Sequence, residues 1–101
     1  MKTKDYVVFL SGKMTGLPDL GRAEFAKYEK IAQDLFPDAC ILNPCVLPHN
    51  LPIGRCLPIT LAMLDQSDCV FTIPGWENSV GAKLEHDYAV YNKKTIVYYP
   101  A

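Results

Sequence analysis

The chain has 101 residues, half of them hydrophobic, with 10 Lys and Arg against 11 Asp and Glu and a formal net charge of −1. That length fits one domain (residues 1–101) with its own core. The balance lacks the basic excess of a protein that binds a nucleic-acid polymer or a membrane surface, and no apolar run approaches the roughly 18 residues of a membrane span.

The N-terminal MKTKDYVVFLSG joins two lysines to a short apolar run. It lacks the length and cleavage site of a signal peptide, so a buried strand and a cytoplasmic location are expected. Residues 6–10 are continuously apolar and partly β-branched, as in a strand covered on both faces. Ser11, Gly12, Lys13, Met14, Thr15 and Gly16 follow. The two glycines allow a tight turn and close approach of backbone to a ligand, and short glycine-containing loops after a first strand bind phosphate through backbone N–H groups. This loop is neither a P-loop nor a GxGxxG motif, and a plain connection explains it as well.

A helix is predicted from about residue 23 to 36, with Phe25, Tyr28, Ala32, Leu35 and Phe36 on its buried stripe and Lys27, Glu29, Lys30 and Asp34 facing water. Pro37 ends it. Residues 39–42 form a short second strand. Residues 43–55, with Pro44, Pro48 and Pro52, are too long for an ordinary connection and read as a binding loop or lid. Pro58 suits the first turn of a second helix running to about Gln66. Ile59, Leu61, Ala62 and Leu64 make that helix nearly all apolar, hence buried or part of an interface. A third strand (69–73), a polar loop (74–79), a third helix (80–92) and a fourth strand (95–99) complete the chain.

Strands alternating with helices imply parallel pairing and right-handed crossovers. The expected fold is an α/β, flavodoxin/Rossmann-like three-layer sandwich: a four-stranded parallel sheet of order 2-1-3-4 with helices on both faces. Ligands of such sheets bind at the carboxyl edge, at the switch point between strands one and three. There the Gly12–Gly16 loop and the loop leading to Ser79 and Gly81 face each other. On the third helix the same-face neighbours of Glu85 are Gly81, Ala82, Tyr88 and Ala89, while Lys83 and Asp87 are expected to pair with each other. A carboxylate on a small-residue face near a helix N-terminus is either a cleft-lining group or a surface glutamate at the edge of the buried stripe. Spacing alone favours the second.

Cys40, Cys45, Cys56 and Cys69 are widely spaced, without CxxC or HxxxH, so no metal site is expected. Cys40 and Cys69 read as small buried thiols of a reducing compartment. His86 reads as an exposed helix residue, and His49, between two prolines, carries no signal.

Several stretches, in order and spacing, resemble the nucleoside 2-deoxyribosyltransferase superfamily, most closely its short branch described as a domain of unknown function. They are residues 9–19 (FLSGKMTGLPD) with Arg22 and Phe25, Asn43-Pro44, residues 64–68 (LDQSD), and residues 74–79 (PGWENS) with Gly81-Ala82 and Leu84-Glu85. The resemblance implies that Glu85 attacks the anomeric carbon of a 2′-deoxyribonucleoside and expels the base, and that a second base or water resolves the covalent intermediate. It implies a nucleoside or nucleotide ligand, no cofactor, and a homodimer in which a neighbouring subunit completes the pocket. Ser79 and Gly81 would bind a 5′-phosphate at the helix N-terminus, with help from Arg22. Trp76 would stack on a base, and Phe9, Ser11, Gly12, Met14 and Gly16 would form the rest of the substrate site.

Two positions depart from the family pattern. Phe9 stands where a tyrosine orients the nucleophile, and Thr60 where an aspartate handles the proton of the leaving base; neither replacement can do that work well. The C-terminal segment that completes the site in longer members is also expected to be missing. The leading expectation is therefore an enzyme that cleaves an N-glycosidic bond, by transfer or hydrolysis. The alternatives are a non-catalytic nucleotide-binding module of the same fold and, on the strength of the 43–58 loop and apolar second helix, a partner-binding protein.

Overall fold

Side-chain alternation along four short strands decides how the layers form. The computed structural model describes residues 5–100; Lys2 and Lys4 of the N-terminal segment and Ala101 lie outside them. β1 (Val7–Ser11), β2 (Cys40–Leu42), β3 (Cys69–Thr72) and β4 (Thr95–Tyr98) pair in parallel in the order β2-β1-β3-β4. Three helices make the crossovers: α1 (Arg22–Leu35), α2 (Ile53–Asp65) and α3 (Val80–Tyr91). Val8 and Leu10 of β1, with Cys69 and Phe71 of β3, pack against Phe25, Tyr28 and Ala32 of α1. Phe9 and Val70 point the other way, onto Leu64 of α2 and Ala89 of α3. The sheet is thus covered on both faces, as its apolar strand runs require. Among the described residues no helix is long and apolar enough to cross a membrane.

Ser11 is one pleat beyond Phe9 on the same side of β1, so it faces α2 and α3 at the carboxyl end of the strand. Its register partner on β3 is Thr72, whose hydroxyl donates to the carbonyl of Val97 at 2.9 Å. The turn after Ser11 is tight: a Cβ on Gly12 would stand 2.9 Å from the Cβ of Ile73. Glycine therefore lets the β1 loop lie against the end of β3.

Several local expectations change in the folded chain. α2 begins at Ile53, and Pro58 lies inside it. The bond that Pro58 cannot donate would have gone to the Gly54 carbonyl, and both residues are exposed near the helix start, where water can replace it. The 43–55 connection is correspondingly shorter. It opens with a 3-10 turn, Pro44–Val46, in which Asn43 Oδ1 accepts from the Cys45 N–H at 2.9 Å. Cys40 is exposed rather than buried, because it starts a three-residue edge strand. Leu35, in the last turn of α1, is 53% exposed, and the next residue, Phe36, stacks on Tyr6. Ile59 and Ala62 of α2 stay exposed, so that helix buries only one side. The expected Lys83–Asp87 pair does not form; Asp87 instead lies 3.3 Å from His86 Nδ1.

Gly12 and Gly54, neither at positive φ, separate close approach from simple helix propensity. Gly12→Ala is expected to destabilise the protein by about 1–3 kcal/mol, because Ile73 or the loop must move. Gly54→Ala, where a Cβ would meet nothing within 4 Å, should be neutral or stabilising by up to about 1 kcal/mol. Urea denaturation of both variants checks the contrast.

Candidate active site

The site assembles at the carboxyl edge of β1 and β3, where α3 starts. Ser79 is the N-cap of α3, and its Oγ accepts from the Ala82 N–H at 3.2 Å. That start sets the helix phase, and Ala82, Glu85 and Ala89 become its buried stripe. Glu85 is 7% exposed, a carboxyl turned toward the sheet. Ser11 Oγ donates to Glu85 Oε1 at 2.7 Å, a charge-assisted bond when the carboxyl is ionised. Among the described residues Glu85 has no ion-pair partner. Burial pushes its pKa above the usual carboxylate value, and hydrogen bonding by Ser11 and then Thr60 draws it part of the way back. Thr60 Oγ1 also reaches the Leu57 carbonyl at 3.1 Å, so its one proton is divided between two acceptors.

Three cavities adjoin here, and the smallest of them holds this carboxyl. Glu85 lines the smallest, of about 100 Å³, together with Gly12, Met14, Ser79 and Gly81. On one side lies a cavity of about 260 Å³ under the 43–52 strap, walled by Leu20, Arg22, Pro44, Leu47 and His49. Met14, Thr15, Cys56 and Thr60 belong to both. On the other side a groove of about 750 Å³ opens between α2 and α3, with Lys13, Leu61 and Val80 on its walls. Thr15, Leu57, Ser79 and Gly81 are shared there. The result is one cleft with an apolar closed end, a wide open end and a single carboxyl between them.

The fold brings Ser11, Gly12, Met14, Ser79, Gly81 and Glu85 together, and it separates the other candidates from them. Phe9 is fully buried in the core cluster with Leu64 and Val70 and is not a cavity wall, because it lies one pleat too deep. Gly16 is exposed at φ +87, beyond the cleft. Arg22 lines the 260 Å³ cavity, yet its two Nη atoms donate to the carbonyls of Cys45 and Leu47. Those two bonds anchor the strap, while the buried Arg22 Nε has no hydrogen-bond partner among the described residues. Trp76 stacks on His86, ring centroids 4.4 Å apart, and His86 Nε2 lies 2.7 Å from the Tyr98 hydroxyl. One face of Trp76 is thus covered by His86, Trp76 lines none of the three cavities, and His86 is not the exposed residue its helix position implied.

Sequence reasoning missed Thr15, Cys56 and Leu57, which α2 and the first loop bring to the cleft, and it gave His49 no role. The unusual length of the 43–55 segment was the available signal for His49. For the donor to Glu85, strand period was the signal: position 11 shares a side with position 9.

Parallel strands in this order, crossover helices and an edge cleft define a three-layer α/β fold. Among solved structures the chain is similar to a 2-desoxiribosyltransferase from Leishmania mexicana, with 17% identity over 91% of this chain and a TM-score of 0.70. It spans 62% of that neighbour's length, and the likeness is one of fold. Residues 6–98 match the family described as "Domain of unknown function (DUF4406)", and the chain belongs to it. No curated protein matches the sequence at a significant level.

A carboxyl whose pKa is raised by folding binds its proton more tightly in the native state. Its contribution to stability is therefore lost as pH rises through the window above the unfolded value of 4.5. Glu85→Gln, which cannot ionise, should gain stability relative to wild type as pH rises from about 4 to 8, and the two proteins should differ least at the acid end. Urea midpoints across that range measure the difference; a constant difference would mean that Glu85 has an ordinary carboxyl.

Proposed function

We propose that the protein cleaves the N-glycosidic bond of a 2′-deoxyribonucleoside or its 5′-phosphate, with Glu85 as nucleophile. The observation that carries this reading is the buried, cation-free Glu85 carboxyl at the centre of the cleft, held through Oε1 by Ser11. Fixing Oε1 leaves Oε2 as the attacking oxygen. It forms a bond to C1′ as the C1′–N bond breaks, through an oxocarbenium-like transition state that a sugar lacking a 2-hydroxyl reaches more readily. A desolvated carboxylate is a stronger nucleophile than a hydrated one, and burial supplies that desolvation. Water or an incoming base then attacks C1′ and frees Glu85.

The two ends of the cleft suit the two ends of such a substrate. The 260 Å³ cavity has mainly apolar walls and a size suited to a flat base. The wide groove holds Lys13 and the N-terminus of α3, a favourable place for a 5′-phosphate. The similarity in fold to a 2-desoxiribosyltransferase adds support to this reading.

One observation favours a second reading, a nucleotide-binding module without efficient chemistry. Among the residues lining the three cavities Glu85 is the sole carboxylate, and Thr60 occupies the place of the expected acid. Binding seen by calorimetry with no base released over hours would select that alternative.

The test is chromatographic detection of free base from a panel of deoxynucleosides and their 5′-monophosphates, with and without a second base. Glu85→Ala is expected to lower release by about 10³-fold or more. Dependence on the added base would identify transfer, and independence hydrolysis. Release unchanged in Glu85→Ala would rule out this mechanism.

A further inference from the structure

Expelling a base from a deoxynucleoside requires a proton for the departing ring nitrogen, and the cleft offers few sources of one. Its titratable wall residues are Lys13, Arg22, His49, Cys56 and Glu85. Glu85 is the nucleophile. Arg22 is committed to two carbonyls, and a guanidinium does not give up its proton. Lys13 lines the wide groove, away from the apolar cavity. The Cys56 thiol points to the Leu51 carbonyl at 3.6 Å. His49 remains, on the wall of the 260 Å³ cavity that shares Thr60 with the Glu85 cavity. Histidine is the side-chain type that exchanges a proton near neutral pH.

The geometry around His49 is that of an oriented imidazole. Its Nδ1 lies 3.2 Å from Asp19 Oδ1, which leaves Nε2 for a ligand. Asp19 and Leu20 are consecutive non-glycine residues with left-handed backbone, φ 52 and 53. That strain costs more than an exposed ion pair contributes to stability; such strain persists only where the surrounding structure over-determines it, and it clusters at active sites and ligand clamps. The strap carrying His49 is fixed on one side by Arg22 at the Cys45 and Leu47 carbonyls. On the other it is closed by a turn in which the Leu51 N–H donates to the Pro48 carbonyl at 3.3 Å.

We infer that His49, oriented by Asp19, is the general acid that protonates the departing base; this rests on the glycosidic reading of Glu85. In the first half-reaction the C1′–N electron pair stays on the base, and a ring nitrogen of the base takes the proton from His49 Nε2. His49 becomes neutral, and its Nδ1–H still donates to Asp19. In the second half-reaction water, or an incoming base, attacks C1′ of the glycosyl ester and returns a proton to Nε2. The Glu85 carboxylate and the imidazolium are thereby restored.

The experiment compares wild type, His49→Gln and Asp19→Asn on two substrates, with protein-free controls. One is an unmodified 2′-deoxypurine nucleoside. The other is its N7-methylated counterpart, whose base is already cationic and leaves neutral without gaining a proton. His49→Gln should slow release from the first by about 10²–10⁴-fold and leave release from the second within about threefold of wild type. Asp19→Asn should show the same selectivity with a smaller loss, because it disturbs the orientation of the imidazole but keeps it. Equal slowing of both substrates, or slowing of neither, would overturn the role of His49 while leaving Glu85 as nucleophile. No release by wild type from either substrate would overturn both.

Discussion

A carboxyl buried without a cation needs a hydrogen-bond donor, and the bond from Ser11 to Glu85 is the contact on which this cleft depends. It joins residues far apart in sequence, so it exists only if β1 ends at Ser11 and α3 starts at Val80. Gly12 allows the chain to turn away immediately after the donor, against Ile73. Ser79 caps α3 and so sets the phase that turns Glu85 toward the sheet. A shift of one residue in either element would put Ser11 on the α1 side of the sheet or rotate Glu85 by about 100° off its stripe.

Burial of the Glu85 carboxyl comes at a cost to stability when it is ionised. A raised carboxyl pKa means that folding disfavours the ionised form of Glu85, which has hydroxyls rather than a guanidinium as company. Arg22, the cation closest to the apolar cavity, is turned to backbone carbonyls and acts as an anchor for the strap. The site thus joins a strap anchored by Arg22 to one buried carboxyl that lies between two dissimilar chambers.

Much of the fold was legible because strand and helix periods are local. The apolar runs at 6–10 and 69–73, the stripe of α1 and the alternation of elements led to the correct sheet order. The small helical neighbours of Glu85 left a cleft-lining group and a surface glutamate both open, and it was the family resemblance that made it the candidate. What failed to show were tertiary choices. Pro58 looked like a helix start because a proline inside a helix is costly, yet exposure beside Gly54 makes that cost small. Trp76 looked like a base platform, yet it stacks on His86 and lines none of the three cavities. Arg22 looked like an anion ligand, and the fold spends two of its donors on the strap carbonyls. Phe9 drew attention as a missing tyrosine, whereas the hydroxyl that the carboxyl needs stands two residues on, at Ser11. His49 was silent because its meaning comes from Asp19, thirty positions earlier and held in an uncommon backbone conformation.

The central claim is that Glu85 carries the sugar between the two halves of the reaction. The most direct measurement is peptide mass spectrometry after incubation with a 2′-fluoro-2′-deoxyarabinosyl nucleoside, whose electron-withdrawing fluorine slows breakdown of a glycosyl ester. The account predicts one fluoroglycosyl group on the peptide containing Glu85 in wild type and none in Glu85→Gln. A glycosyl group on any other residue, or equal base release by both proteins without an adduct, would contradict it.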